Sequence, residues 1–170
     1  PSSGKIQIDG QEITGLSRKK RTVLRLWKIG FVFQEYNLIG VLSAQENVEY
    51  VLMLRGVPFG ERRRQARAIL ADVGLKGLEA RLPNELSGGQ QQRVAVARAI
   101  VSKPAIVLAD EPTANLDSKT GAALLDMMRR LNDEQGVTFV FSTHDPMVME
   151  RARRVVHLKD GQIEREERRP

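Results

Sequence analysis

Segments in which apolar residues have the spacing of a strand alternate along the chain with segments in which they have the spacing of a helix. Residues 5–10 alternate apolar and polar positions before a turn, and residues 29–33 form a short β-branched and aromatic run. Both patterns predict strands. Near-continuous apolar runs at 105–109 and 137–141 are typical of strands that are buried on both faces of a sheet.

The segments between these runs carry a helical repeat of apolar residues. Ser43 and Glu46 have the spacing of a capping box at the start of the first helix, and Gly74 ends the second. The order strand, helix, strand from residue 106 onward predicts an α/β fold with a parallel sheet. The inward positions are Val48, Val51 and Leu52; Ala66, Ile69, Leu70 and Val73; Val94, Ala97, Ile100 and Val101; and Leu124, Met127, Met128 and Leu131.

The last part of the chain changes from apolar to charged. Residues 155–158 and Ile163 flank Asp160-Gly161, which predicts a hairpin. Residues 164–170 are almost all charged, so we expect a frayed tail there.

Composition narrows the class of protein. At 170 residues, the chain is expected to form one domain. It has no cysteine, which excludes disulfides and thiolate metal sites, and no apolar run of about 18 residues, which a transmembrane helix needs. The net charge of +6 permits an acidic partner. Much of that charge lies in clusters at 62–64 and 151–154 that solvated helix faces explain, so we expect no nucleic-acid partner.

Polar residues follow three of the predicted strands. Residues 106–109 are apolar and lead into Asp110 and Glu111. A strand-end Asp can hold Mg²⁺ through its waters, and a neighbouring Glu can orient or deprotonate an attacking water. Two solvated loop acids are the alternative. Gln34 and His144 follow two other strands, and side chains at the carboxyl ends of parallel strands converge on one crevice.

A serine and two glycines stand where the predicted helix of 90–101 begins. Ser87, Gly88 and Gly89 fit an anion site, because glycine lets an anion approach the free N–H groups and the helix dipole favours negative charge. For these three residues alone, a helix cap followed by a turn is the favoured explanation. The longer stretch at 86–100 is far more specific.

Five short stretches resemble, in order, the motifs of ABC-transporter nucleotide-binding domains. They are similar to the Q-loop, the signature, Walker B, the D-loop and the H-loop, and they lie at 31–34, 86–90, 108–112, 115–117 and 142–145. The resemblance covers essentially the whole chain. It is nearest to the cassettes of lipoprotein-release and macrolide-export transporters, although Ala114 stands where that group usually has glycine.

This resemblance implies a P-loop NTPase-like (RecA-like) parallel sheet core with an inserted α-helical signature subdomain, truncated at the N-terminus. We expect a remnant of the β subdomain and the Q-loop strand over about residues 1–35, the helical subdomain over about 36–92 and the core over about 93–163. Gly4-Lys5 is followed by Ile6 and does not match the G-x-x-x-x-G-K-[ST] phosphate loop. A β-α unit of roughly 30 residues is therefore expected to be missing, because the chain is either a fragment or naturally truncated.

The absent unit has a structural consequence. In the family, the strand before the phosphate loop lies between the strands that resemble 137–141 and 155–158. We therefore expect two strand edges that face a gap, with unpaired N–H and C=O groups. Such edges favour self-association of the 170-residue chain.

The resemblance also implies a role for each motif residue. Glu111 resembles the catalytic base, Asp110 the magnesium-site carboxylate and His144 the sensor of the γ-phosphate. Gln34 resembles the residue that meets the metal and the attacking water and moves with the membrane partner. Ser87, Gly88, Gly89 and Gln90 would cap ATP bound by the opposite subunit, and Asp117 would cross the dimer interface.

The implied function is the ATP-binding and ATP-hydrolysing subunit of an ABC transporter, which powers export or release through ATP-driven dimerisation. ATP and Mg²⁺ are the implied ligands, and membrane permease subunits and a second ATP-binding subunit, most simply a homodimer, are the implied partners. The implied location is the cytoplasmic face of the cell membrane. Without a phosphate loop, the chain alone is expected to be inactive.

Two other functions stay open at this point. One is a soluble ABC ATPase of translation or DNA repair, which usually has two cassettes or a long insert. The other is a non-catalytic, truncated remnant. The surface from Gln34 through the helix that ends near Arg55 is expected to dock the membrane partner, because its loop carries Leu38, Ile39, Val41 and Leu42. The alternative is a small satellite core under that loop.

Overall fold

Three parallel strands form the central sheet in the computed structural model, which describes residues 3–169. Pro1, Ser2 and Pro170 lie outside the described residues. In chain order the elements are β1 Gln7–Ile8, β2 Gln11–Glu12, α1 Arg18–Lys28, β3 Ile29–Val32, α2 Ala44–Leu54, α3 Phe59–Asp72, a 3₁₀ turn Pro83–Glu85, α4 Gly88–Ile100, β4 Ile106–Asp110, α5 Ser118–Gln135, β5 Phe139–Ser142, α6 Pro146–Arg151, β6 Arg154–Lys159 and β7 Gln162–Arg168.

The middle strand of this sheet is β4, which pairs in parallel with β3 on one side and β5 on the other. Val107 lies opposite Gly30 and Phe139, and Asp110 lies opposite Ser142. The predicted parallel sheet is therefore confirmed, together with the helices predicted around it. No described helix is both long enough and apolar enough to cross a membrane.

One hydrophobic core joins the sheet to α2, α3, α4 and α5. Eight of the 13 residues of α4 are buried, five of them within that core, and the helix contacts both α2 and β3. Its approach to β3 is close, because a Cβ on Gly30 would meet the carbonyl oxygen of Ala99 well inside van der Waals distance. The fully buried residues Leu70, Val94, Val107 and Leu131 show how the core continues from the helical layer through the sheet.

The sheet has an open edge at β5. Among the described strands, β5 pairs with β4 alone, while β6 pairs with β7 in a separate antiparallel hairpin. The strands β5 and β6 were expected to lack pairing with each other, and they are not paired. The run at 137–141 was expected to be buried on both faces, and this is wrong: Val137, Phe139 and Phe141 are half-buried, whereas Thr138 and Val140 are exposed, Val140 by 47%.

The charged C-terminal segment is a strand and not a frayed tail. Residues 162–168 form β7, which pairs with β6 through Val155 opposite Glu167 and Val156 opposite Glu166. A cross-strand ion pair accompanies the ladder, with Arg154 at 2.9 Å from Glu166, and His157 Nε2 lies at hydrogen-bond distance, 3.1 Å, from Glu167 Oε1. Opposite charges across a strand pair stabilise it modestly, so a charged sequence is compatible with a hairpin.

The close contact between β3 and α4 leads to a stability prediction. Gly30→Ala places a methyl group against the backbone of α4, and overpacking of this kind typically costs about 1–3 kcal/mol. Gly60→Ala is the matched control, since Gly60 lies in α3 with no atom near its Cβ position and alanine favours a helix. Urea unfolding should show lower stability for Gly30→Ala and equal or higher stability for Gly60→Ala. Equal midpoints for both variants would contradict the close packing.

Candidate functional site

The site lies where the three parallel strands end. Asp110 is the last residue of β4, Gln34 follows β3 by two residues, and His144 follows β5 by two residues. The Glu111 N–H donates to the Ser142 carbonyl at 2.9 Å, so the exits of β4 and β5 are joined by backbone. Because the three strands are parallel and paired, these residues lie at the same end of the sheet, where the sequence predicted that they would converge.

The Glu111 side chain is held by the loop that follows β5. The Thr143 hydroxyl donates to Glu111 Oε2 at 2.9 Å, and the His144 N–H donates to Oε1 at 3.2 Å. The His144 ring nitrogen Nδ1 lies 2.6 Å from the same Oε1. Glu111 has a φ of 43°, a left-handed conformation that is costly for a residue with a side chain and is typical of functional sites.

Two opposing effects set the acidity of Glu111. Partial burial of its carboxyl raises the pKa, but hydrogen bonds from His144 and Thr143 and the nearby imidazole outweigh burial. The pKa of Glu111 is therefore below its ordinary value. Glu111 is then a carboxylate at neutral pH and can orient a water or accept its proton.

The loops after β4 and β5 are also tied to each other beside Glu111. The Thr113 hydroxyl donates to Asp145 Oδ2 at 2.9 Å, and the Asp145 N–H donates to the Thr143 hydroxyl at 3.0 Å. The other carboxyl oxygen of Asp145 accepts the Met147 N–H and caps α6. Sequence reasoning gave Thr113 and Thr143 no role, although both hydroxyls stand within two residues of Glu111 or His144.

The loop that carries Gln34 is fixed by side chains from other motifs. Asn115 donates from Nδ2 to the Gln34 carbonyl at 3.0 Å. Gln92, which is fully buried in α4, donates from Nε2 to the Pro112 carbonyl at 2.8 Å and to the Phe33 carbonyl at 3.4 Å. One buried amide thus touches the residue after Glu111 and the residue before Gln34. The sequence gave no signal for this role beyond the position of Gln92 in the signature helix.

Arg98 of α4 continues the same attachment. Its guanidinium donates to the carbonyls of Tyr36 at 2.8 Å and Asn37 at 2.5 Å, and both of these residues have positive φ angles. Burial of the guanidinium lowers the pKa of Arg98 from its usual high value, and the side chain stays charged at neutral pH. Arg98 therefore stabilises a strained turn directly after Gln34.

The signature residues combine a helix cap with tight packing. Ser87 accepts the Gln90 N–H at 3.3 Å, and Gln90 Oε1 accepts the Ser87 N–H at 2.9 Å, which forms a capping box. A Cβ on Gly88 would clash with the Tyr36 hydroxyl, and one on Gly89 would clash with Thr120. Within a single chain, this segment therefore forms a helix cap, and its two glycines pack closely against Tyr36 and Thr120.

The structure brings some of the expected site residues together and leaves others apart. Glu111 and His144 are in direct contact. Within residues 3–169, Asp117 caps α5 by accepting the N–H groups of Lys119 and Thr120, and no hydrogen bond joins it to Glu111. The side chains of Gln34 and Asp110 are exposed at neighbouring strand ends.

One cleft on the surface of the described residues contains the strand-end residues Glu111 and His144. It measures about 450 Å³ and is bordered by Glu111, Thr113, Leu116, Ser118, His144 and Met147. A larger one of about 630 Å³ lies between α3, α4 and α5. In this larger cleft, Arg93 donates to the Val73 carbonyl and Arg130 to the Asp72 carbonyl. Both arginines therefore bind carbonyl groups at the C-terminal end of α3.

The donor atoms at the strand ends suit Mg²⁺. The part of the chain that is described has no cluster of three His, Asp or Glu residues arranged to hold a metal by themselves. Mg²⁺ commonly takes one or two protein oxygens and completes its shell with waters and substrate phosphates. The Asp110 carboxylate and the Gln34 amide, both exposed on adjacent strands, fit that pattern.

Comparisons with known proteins identify the family. The sequence profile described as ABC transporter matches residues 1–114. An uncharacterized ABC transporter ATP-binding protein of Thermotoga maritima is 47% identical over 99% of this chain and 72% of its own length. The lipoprotein-releasing system ATP-binding protein LolD of Bordetella pertussis is 44% identical over 96% of this chain and 71% of its own length.

Longer relatives and a solved structure agree with this result. The macrolide export ATP-binding/permease protein MacB of Syntrophobacter fumaroxidans is 47% identical over 98% of this chain, which spans 24% of that protein. The dimeric post-hydrolysis structure of the ATP-binding cassette MJ0796 bound to ADP and Pi has a TM-score of 0.86 at 45% identity, and it covers 99% of this chain and 74% of that one. This chain belongs to the ABC transporter ATP-binding family.

Proposed function

We propose that this protein is the ATP-binding and ATP-hydrolysing subunit of an ABC transporter and that it powers export or release across a membrane. The observation that carries the proposal is the Glu111 carboxylate, which Thr143 and His144 hold in its charged form at the end of the middle strand. Relatives that are named as LolD and MacB support a transporter over a soluble ATPase.

In the proposed reaction, Glu111 orients the attacking water and accepts its proton. His144 is suited to contact the γ-phosphate, since its side chain is 91% exposed and rests only at the end of the Glu111 carboxylate. Bound Mg²⁺ would neutralise charge on the phosphates, with Asp110 and Gln34 as its protein ligands. The residues proposed for the reaction thus come from all three strand ends.

A second copy of the chain completes the proposed site. Ser87, Gly88, Gly89 and Gln90 would cap ATP bound by the partner, and Asp117 would cross the interface between the two copies. The dimeric structure of MJ0796 supports a homodimer. We further propose the division into a β-subdomain remnant over about 1–35, a helical subdomain over about 36–92 and a core over about 93–163.

Residues 1–170 contain no G-x-x-x-x-G-K-[ST] sequence. A tetra-anionic nucleotide then meets Asp110 and Glu111 without the lysine and N–H groups that such a loop supplies. We therefore propose that these residues alone bind ATP weakly and do not hydrolyse it. The alternative is a non-catalytic remnant. Adding a phosphate loop would produce ATPase activity in the first case and none in the second.

The permease-docking surface is proposed at the loop after Gln34. Leu38 packs on the core, whereas Val41 is 85% exposed, so the loop has both an inward and an outward side. Asn47, which is fully buried, exchanges hydrogen bonds with Ile39 N–H and C=O and donates to the Leu42 carbonyl. The loop therefore presents Val41 rigidly. Through this contact, the protein would reside at the cytoplasmic face of the cell membrane.

Glu111→Gln tests the catalytic proposal in a protein that carries a phosphate-loop segment in front of residue 1. Loss of the base should lower kcat about 10²–10⁴-fold while ATP still binds. Glu134→Gln, a change to an exposed carboxylate on α5, should leave kcat unchanged. Residues 1–170 alone should show no turnover above background. A near-normal kcat in Glu111→Gln would refute the assignment of the base.

Thr143→Val tests whether Thr143 positions Glu111. The hydroxyl donates to the charged carboxylate, so its removal should raise the pKa of Glu111 toward the ordinary value. Thr143→Ser, which keeps a hydroxyl, should restore the low pKa. The measurement is a pH titration of the Glu111 carboxyl carbon by NMR. Identical titration curves for wild type and Thr143→Val would show that the hydrogen bond does not act on Glu111.

Val41→Asp tests the docking surface. Because Val41 is exposed, the change should leave unfolding stability intact and abolish co-purification with co-expressed permease. Leu158→Asp, at a 70% exposed position on the β6–β7 hairpin, is the control and should retain the permease. Normal assembly of Val41→Asp with the permease would place the docking surface elsewhere.

A further inference from the structure

The helix α1 has an unusual charge. Of its 11 residues, six are Lys or Arg and none is acidic, as the sequence RKKRTVLRLWK shows. Its cations are Arg18, Lys19, Lys20, Arg21, Arg25 and Lys28. Within residues 3–169, only Lys28 among them forms an ion pair, with Asp9. The fold therefore leaves most of this charge without a carboxylate partner.

The apolar side of α1 is largely uncovered in the chain. Leu24 is its one buried residue, whereas Val23 is 52% exposed and Trp27 is 49% exposed. Val23 and Trp27 are four residues apart, so they lie on the same face of the helix. A helix that serves only as a solvated surface element has no need for a tryptophan and a valine at such positions.

Arg55 fixes this face next to the end of α2. Its guanidinium lies 4.8 Å from the centre of the Trp27 ring and donates to the carbonyls of Leu26 and Trp27. Met53 and Leu54, the two residues before Arg55, are 44% and 53% exposed. Arg55 thus connects the apolar face of α1 to the C-terminal end of α2, where further exposed apolar residues stand in the sequence.

We propose that α1 binds directly to an anionic lipid surface. Its Lys and Arg side chains would contact acidic headgroups, while Val23 and Trp27 enter the boundary between headgroups and acyl chains. Amphipathic helices with a cationic polar face and an aromatic apolar face bind membranes in this way. The cations of α1 flank the apolar pair without forming a pocket, and this suits a flat anionic surface better than a shaped protein groove.

This inference goes beyond the proposed function, because it concerns lipid contact without a permease and without ATP. A positive result would mean that the cassette has its own affinity for the membrane. Its failure would leave the assignment of Glu111 and His144 untouched, since the lipid experiment does not measure ATP turnover.

Trp27 makes a specific experiment possible, since it is the only tryptophan in the sequence. The purified chain is mixed with vesicles of equal parts phosphatidylglycerol and phosphatidylcholine, or of phosphatidylcholine alone. With the anionic vesicles, Trp27 emission should shift to shorter wavelength and acrylamide should quench it less. Because surface charges are screened by salt, added NaCl should weaken the shift.

Charge reversal separates α1 from the net charge of the protein. Each cation near an anionic surface strengthens binding about fivefold, so Lys19→Glu with Lys20→Glu should weaken vesicle partitioning on the order of 25-fold or more. Lys76→Glu with Lys119→Glu makes the same change in net charge at exposed lysines elsewhere and should have little effect. All four lysines are exposed, so unfolding curves should stay the same.

Several results would overturn the proposal. These are an absent Trp27 shift, equal losses in the two double variants, and binding to vesicles while Trp27 remains fully accessible to acrylamide. A shift with polyglutamate in place of vesicles, and none with vesicles, would assign the face to an acidic polypeptide and would also refute it.

Discussion

The parallel, in-register pairing of β3, β4 and β5 is the constraint on which the site depends. Backbone hydrogen bonds fix where each strand ends, and the polar residues of three sequence motifs therefore emerge at one edge. A slip of one residue in β4 would exchange its two faces and would turn Glu111 away from Thr143 and His144. The chemistry of Glu111 is in this sense a property of the sheet register.

Buried polar contacts extend this constraint to the signature helix. Gln92 donates to carbonyls on both sides of the site, and Arg98 holds the turn after Gln34. Among residues 3–169, Gln92 Oε1 is the one buried side-chain oxygen or nitrogen without a partner, and such a group typically costs about 1–3 kcal/mol. The amide nitrogen of Gln92 connects α4 to the loops after β3 and β4. A displacement of the signature helix would therefore move the backbone next to Glu111 and Gln34.

Sequence patterns predicted the parts of the fold that rest on local spacing. The apolar runs and helical repeats identified β3 to β5 and α2 to α5, and motif order brought Glu111 and His144 together. The hairpin into Ile163 was predicted, but the extension of β7 through the charged residues 164–168 was not, because cross-strand charge pairs and backbone pairing stabilise it instead of an apolar alternation. The helix α1 was not predicted either, because its apolar residues Val23, Leu24, Leu26 and Trp27 span little more than one turn and its first four residues are all cations. The roles of Gln92 and Thr143 depend on residues distant in sequence, which only the folded chain brings into contact.

The central claim is that two copies of this strand-end site, each with a signature segment from its partner, enclose ATP. The most direct test is the mass in solution of the protein that carries a phosphate-loop segment and Glu111→Gln, measured by light scattering. We expect a monomer without nucleotide and a dimer with ATP and Mg²⁺, because hydrolysis can no longer release the partners. A monomer at saturating ATP, or a dimer that does not depend on ATP, would contradict it.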